Sequence, residues 1–308
     1  MRILSLTLVA LLASLPGAAG QVTVEVLLDQ RQYLRDEAVL AKVRVTNRSG
    51  QTLRLGDDAE WLSFSVEGME GARTIQLSDP PVVGAFTLDS ARMATRTVNL
   101  TPHFDLSQLG RYTVTATVKV KEWAGELSSG PRPLEIVRGL KVWEQEFGVP
   151  GGGGGTPELR RYTLQQANYL KQLLLYVRVS DAGDAHVFRV FPLGPLVSFS
   201  APEAQVDKQS QLHVLFQTGA RAFAYNVVNP DGEVMVRQTH EYAGSRPQLR
   251  KAEDGRISVS GGARRFTSMD IPPTEVAGAS VTNSPAAPEP PPEPPLDKKK
   301  KDAKAKKK

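Results

Sequence analysis

Residues 111 to 120 place Tyr112, Val114, Ala116, Val118 and Val120 on one parity and Arg111, Thr113, Thr115, Thr117 and Lys119 on the other. Strict alternation of this length describes a strand with one buried face and one wet face, because a helix would scatter the same residues around its axis. The period recurs upstream. Val22, Val24 and Val26 share a side, Val39, Ala41, Val43 and Val45 oppose Lys42, Arg44 and Thr46, and Leu62, Phe64 and Val66 continue the pattern. Asn47-Arg48-Ser49-Gly50 supplies turn chemistry, Leu53 and Leu55 begin another strand, alternation returns over 96–100, and 134–137 closes the set. Strands of this kind with no long helical pattern between them predict an antiparallel β-sandwich over residues 21–140.

Two groups of residues add a resemblance. Leu106 followed by Gly110-Arg111-Tyr112 at the head of the clearest strand resembles the tyrosine corner of immunoglobulin-like sandwiches. Tyr33 and Glu37 before 39–50 are similar to the opening of bacterial immunoglobulin-like and macroglobulin-like modules. The resemblance implies an Ig-like fold and a Tyr112 hydroxyl bonded back to the preceding loop; it implies no function. The antibody-type cysteine pair is absent, and Trp61, where such domains place a core tryptophan, falls on the opposite parity from Leu62, Phe64 and Val66.

The 308 residues contain no cysteine, so disulfides and thiolate chemistry are excluded and the fold must be held by burial and backbone pairing. A hydrophobic content of 40% over this length supports two domains, each with its own core. Arg2, the apolar run from Ile3 to Leu12 and Pro16-Gly17-Ala18-Ala19-Gly20 read as a signal peptide over residues 1–20. The expected destination is the periplasm or the medium, with no membrane span after cleavage: the apolar run is roughly half the length needed to cross hydrocarbon.

Gly151 to Gly155 is an unbroken glycine run followed by Thr156-Pro157-Glu158 rather than the Gly-Lys-Ser or Gly-Lys-Thr of a phosphate loop. Residues 141–157 are therefore expected to be a linker. Beyond it, 158–266 predicts a second antiparallel β domain built on a weak internal repeat. Pro202 precedes Leu212-His213-Val214 as Pro247 precedes Ile257-Ser258-Val259, at an offset of 45 residues. Gly219-Ala220-Arg221 with Phe223 then matches Gly262-Ala263-Arg264 with Phe266 at an offset of 43. The middle unit resembles a blade of sialidase-like or other bacterial propellers, but about two and a half units cannot close a ring, so stacked hairpins or a second sandwich are the expected forms. Residues 159–172 read equally as helix or strand. From 267 onward hydrophobic content collapses, and 267–308 is expected to be a disordered Pro-rich and Lys-rich tail.

No motif for catalysis, cofactor binding or metal ligation stands out, so no cofactor is expected and the chain is expected not to be an enzyme. His103, His186, His213 and His240 lack the spacing of a helical metal site, and no Gly-x-Ser-x-Gly elbow is present. Asp231-Gly232 and Asp254-Gly255 read as hairpin turns rather than calcium loops. Trp123, in Glu122-Trp123-Ala124-Gly125, is a candidate for stacking on a sugar. Residues 297–308 hold eight lysines against two aspartates, +6, so residues 1–296 carry −1 of the chain's +5. Lys298, Lys299, Lys300, Lys301, Lys304, Lys306, Lys307 and Lys308 are therefore the expected contact for a polyanion, by counterion release. The expectation is a non-enzymatic binding or scaffolding protein of the cell envelope whose partner is an unknown envelope protein or polysaccharide. The alternative is a glycan-binding accessory protein or degenerate glycan-hydrolase relative, with aromatics and arginines converging on one face of 158–266.

Overall fold

The structure is a computed structural model that describes residues 22–72, 74–82, 84–121, 125–149 and 158–272. All regular elements among them are strands. The first half holds β1 (Val22–Leu28), β2 (Gln32–Leu34), β3 (Leu40–Asn47), β4 (Leu53–Leu55), β5 (Leu62–Gly68), β6 (Phe86–Leu88), β7 (Arg92–Asn99), β8 (Gly110–Lys119), β9 (Glu126–Ser128) and β10 (Arg132–Val137). One sheet runs β1-β3-β7 and the other β2-β10-β8-β5, with β9 added to β8 and a small β4-β6 pair beside them. Pairing is antiparallel except where β2 runs parallel to β10, with Tyr33 opposite Ile136.

The period-two residues do what their spacing requires. Val24, Val26, Val43 and Val45 of one sheet share a single core with Phe64, Val66, Val114, Ala116 and Val118 of the other. Tyr112 is fully buried, and its hydroxyl donates to the Gln108 carbonyl at 2.7 Å, closing the loop before β8. Trp61 departs from its parity. It is 3% exposed, its indole N–H donates to the Val82 carbonyl at 3.1 Å, and its ring meets Phe86 edge-on. Trp61 precedes β5 in a turn, where strand alternation no longer decides which way a side chain points.

The second half holds β11 (Leu140–Val149), β12 (Glu158–Tyr169), β13 (Gln172–Asp181), β14 (Val187–Pro195), β15 (Glu203–Val206), β16 (Leu212–Gln217), β17 (Ala222–Val228), β18 (Val234–Glu241), β19 (Gln248–Lys251), β20 (Ile257–Ser260) and β21 (Ala263–Arg265). The β11-β12-β13-β14 sheet faces β15-β16-β17-β18-β21. Tyr162, Leu164, Val177 and Val179 pack on Leu212, Val214 and Phe216 across that second sandwich. The β19-β20 hairpin covers the outer face of the second sheet, setting Leu249 and Ile257 on Leu215, Phe223, Tyr225 and Val227. Strand β16 is consequently buried on both faces along its length.

Several boundaries differ from those read in the sequence. Residues 141–149, expected in the linker, belong to β11, which pairs with β12 from Leu140↔Gln166 to Val149↔Glu158. The glycine run therefore joins two strands of one sheet, and the passage between the sandwiches falls at Arg138-Gly139. Residues 159–172 are strand and turn. The repeat is real as a hairpin: its copies are β15-β16 and β19-β20, and they stack, with Lys208 Nζ donating to the Asp254 carbonyl at 2.7 Å and Leu249 N–H to Glu203 Oε2 at 2.8 Å. The strand that follows each copy diverges, since β17 pairs with β16 whereas β21 joins β18. The fold also runs past 266: Ile271 bridges to Arg237, and buried Asp270 accepts from Thr267 at 2.8 Å and Arg264 at 3.2 Å.

Candidate functional site

The two sandwiches meet along the β2–β3 turn and the β12–β13 hairpin. Leu34, Ala167, Tyr176 and Val190 form an apolar cluster there, backed by Val137, Leu174 and Val187. Beside it the turn is pinned by Glu37, which accepts from Leu34 N–H at 2.8 Å and from Gln30 Nε2 at 2.9 Å. Burial outweighs both donors and, with the nearby Asp29 carboxylate, pushes the Glu37 carboxyl up to about 7. Next to it, Asp36 sits at φ 66° and pairs with Arg178 of β13, whose other guanidinium nitrogen lies 3.4 Å from Asp184.

A cleft of about 250 Å³ opens over this pair, lined by Arg35, Ser107, Arg138, Gln165, Arg178 and Asp184. Asp36 and Asp184 hold Arg178, and Arg35 stands 3.8 Å from Asp36, whereas Arg138 meets no ion-pair partner among the described residues. The Asp36–Arg178 pair ties the two sandwiches together beneath the cleft.

A larger groove of about 380 Å³ lies on the outer face of the β2-β10-β8-β5 sheet. Because Tyr112 and Leu134 are buried in the core, their neighbours Arg111, Pro133 and Glu135 point outward and form the floor. Met69 rises beside β8, its sulfur 3.1 Å from Thr113 Oγ1, and Leu170 rises beside β2, its N–H donating to Gln32 Oε1 at 3.4 Å. Leu170 is 67% exposed and holds φ 55° at the tip of the β12–β13 turn. That placement of an apolar residue is costly twice over, in solvation and in backbone conformation.

In the second sandwich Asp207, His213 and Tyr225 form a buried chain. His213 Nδ1 is 2.7 Å from the Tyr225 hydroxyl and Nε2 is 3.0 Å from Asp207 Oδ2, while Asp207 Oδ1 accepts from Gln209 and Gln211 N–H at 2.9 Å each. Burial first, then the Asp207 charge, pushes the Tyr225 phenol up to about 12, so it stays protonated. No serine joins the chain, and β19-β20 seals it. Beyond Tyr225 lies His240, buried, with Nε2 lacking a hydrogen-bond partner; burial and then Arg264 hold its pKa below 6.5.

Of the residues singled out in the sequence, Trp123 and all eight tail lysines lie outside the described residues. His103 contacts Ser78 Oγ at 2.7 Å, and His186 packs edge-on to Phe188, each away from the His213 chain. No group of three or more histidine, aspartate or glutamate side chains forms a metal cluster among the described residues. The arginines of 158–266 disperse: Arg178 enters the interdomain lock, Arg189 lies over Phe191, Arg221 over Tyr242, and Arg250 turns to Gln248. The groove residues Met69 and Leu170 escaped the sequence reading because they come from different sandwiches; a leucine within the polar turn Asn168-Tyr169-Leu170-Lys171 was the available signal.

No family model matches the sequence, and no curated protein matches it. Among solved structures, the sporulation control protein Spo0M from Bacillus subtilis is similar over 80% of this chain and 91% of that one, at 10% identity and a TM-score of 0.29.

Proposed function

We propose that this chain is an exported, non-enzymatic binding or scaffolding protein of the cell envelope, in the periplasm or the medium, with a lysine-rich end that contacts polyanions. The observation that carries the reading is where the buried reactive groups are spent. Glu37 pins the turn that joins the sandwiches, Asp207 and His213 tie a hairpin to the sheet, and Asp270 holds Arg264 and Thr267. Each is used to hold a turn or a neighbouring side chain in place; Glu37 also lines a cleft of about 200 Å³, where the adjacent Asp36 is paired with Arg178 and Asp105 accepts from Ser107 N–H at 3.0 Å. What remains on the outside is sheet face, the kind of surface on which partners dock.

The tyrosine-corner hydrogen bond of Tyr112 supports kinship of the first sandwich with immunoglobulin-like modules, which serve widely as spacers and docking surfaces. The apolar run over residues 3–12 supports export, and the lysine cluster supports charge-driven attachment to phosphate-bearing or acidic polysaccharide.

The test has two arms. Mass spectrometry of the protein recovered from an expressing bacterium should give a mature N-terminus near Gln21, and an uncleaved cytoplasmic chain would refute export. Retention on immobilised heparin should be strong at low salt, lost at high salt, and lost when the eight tail lysines are changed to glutamine. Retention unaffected by those substitutions would remove the tail from the reading.

A further inference from the structure

We infer that the groove between Met69 and Leu170 binds a single-chain anionic amphiphile, with its alkyl chain along the sheet face and its acidic head at Arg31. The site is separate from the lysine tail and does not rest on the reading above.

The size of the groove favours it over the charged cleft. Ligand sites for small molecules usually start near about 300 Å³. The groove holds about 380 Å³, whereas the cleft over Arg178 holds about 250 Å³, and its Arg178 is already held by Asp36 and Asp184. Its apolar side chains are Met69, Pro133 and Leu170. Two of those three, Met69 at 43% and Leu170 at 67%, are held out in solvent, and Leu170 also occupies a left-handed backbone conformation. Such a residue gains from any occupant that covers it.

The charged groups decide the head. Glu135 accepts from Gln32 Nε2 at 2.8 Å, and Arg111 pairs with Glu70 at 3.1 Å. Arg31 has no ion-pair or hydrogen-bond partner for its guanidinium among the described residues, so it is the cation of this groove left to be met, while the Glu135 carboxylate on the floor meets only the neutral Gln32 amide. A carboxylate suits its planar fork.

The floor decides the body of the ligand. It is made by β10 and β8, and each of those strands is already paired on both sides, β10 with β2 and β8, β8 with β10 and β5. An extended peptide lying there would find no main-chain groups to bond, and its own amides would lose water without replacement. An alkyl chain carries no polar atoms and loses nothing.

The experiment is calorimetric titration of the full mature chain with dodecanoate, and with dodecyltrimethylammonium as a cationic head on the same chain length. Dodecanoate is expected to bind at one site, and the cation at least about tenfold more weakly. Leu170→Asn keeps a residue that tolerates the left-handed turn while removing the apolar wall, and should weaken dodecanoate by about tenfold or more. Arg31→Gln should abolish the preference for the acid over the cation. Dodecanoate that fails to bind, or binds Leu170→Asn as well as the parent, as tail lysines alone would produce, overturns the assignment. So does an acidic apolar peptide that outcompetes dodecanoate in the parent but not in Leu170→Asn.

Discussion

Arg178 of β13 and Asp36 of the β2–β3 turn form an ion pair across the junction of the two sandwiches, and the same guanidinium also reaches Asp184. Arg178 is 13% exposed at its side chain, so little water is present to replace a lost partner. Arg178→Met should lower stability by about 1–3 kcal/mol, because Asp36 is left half-buried beside nothing of opposite charge except Arg35. Arg178→Lys should fail to restore it, since one ammonium cannot serve two carboxylates as a planar fork does. Adding Asp36→Asn to Arg178→Met should recover part of the loss. Denaturant titration of these three variants and of Asp36→Asn alone checks this, and strictly additive losses would show that the pair is not coupled.

The chain from Asp207 through His213 to Tyr225 makes a second prediction. Tyr225→Phe removes the hydroxyl 2.7 Å from His213 Nδ1 and leaves a buried ring nitrogen unpaired, at a cost of about 1–3 kcal/mol. Asp207→Ala removes both the other ring partner and the acceptor for Gln209 and Gln211 N–H, so it should cost at least as much. The double variant should lose less than the sum, because a ring with neither partner fixed is free to turn. Urea midpoints across this cycle decide it.

For Tyr112 the expected effect is local. Tyr112→Phe keeps the ring in the core and removes only the 2.7 Å bond to the Gln108 carbonyl, so about 1 kcal/mol should be lost. The amides of the 106–110 loop should then exchange with solvent faster, while those of β3 keep their protection. Hydrogen exchange that speeds up equally in both places would mean that the bond does not hold the loop specifically.

How far the fold could be read from sequence follows from how many faces of each strand are wet. Strand β8 has one buried face, so its alternating threonines and valines identify strand and core side together. Strand β16 is sealed by a sheet on one face and a hairpin on the other, so its Leu-His-Val-Leu-Phe-Gln reads as a strand over 212–217 but gives no sign of which face is buried. Glycine content placed a linker at 141–157, yet pairing of Val149 with Glu158 makes the run a connection within one sheet. Composition reports how free a backbone is and says nothing of what its ends are bonded to. The junction was least legible, because Asp36, Arg178, Met69 and Leu170 acquire their roles only when distant strands are set in register.

Glu37 and His240 should tilt the pH dependence of stability in opposite directions. The Glu37 carboxyl is raised from 4.5 to about 7 in the folded chain, so the folded state holds a proton that the unfolded state has released. Its contribution is complete below about pH 4.5 and is lost as pH rises through about 7, amounting to about 3 kcal/mol at most for a shift of this size. His240 has its pKa depressed below 6.5, so its contribution is present above pH 6.5 and is lost on acidification. Below pH 6.5, down to about 4.5, the two slopes have opposite signs and oppose one another in the parent chain. Glu37→Gln should unmask the histidine, giving stability that rises with pH across that window. His240→Leu removes a buried nitrogen without a partner, should be neutral or stabilising, and should unmask the glutamate, giving stability that falls with pH. Urea midpoints of both variants over a pH series check the pair. Parallel slopes would mean that the buried carboxyl and imidazole are not the groups that set it.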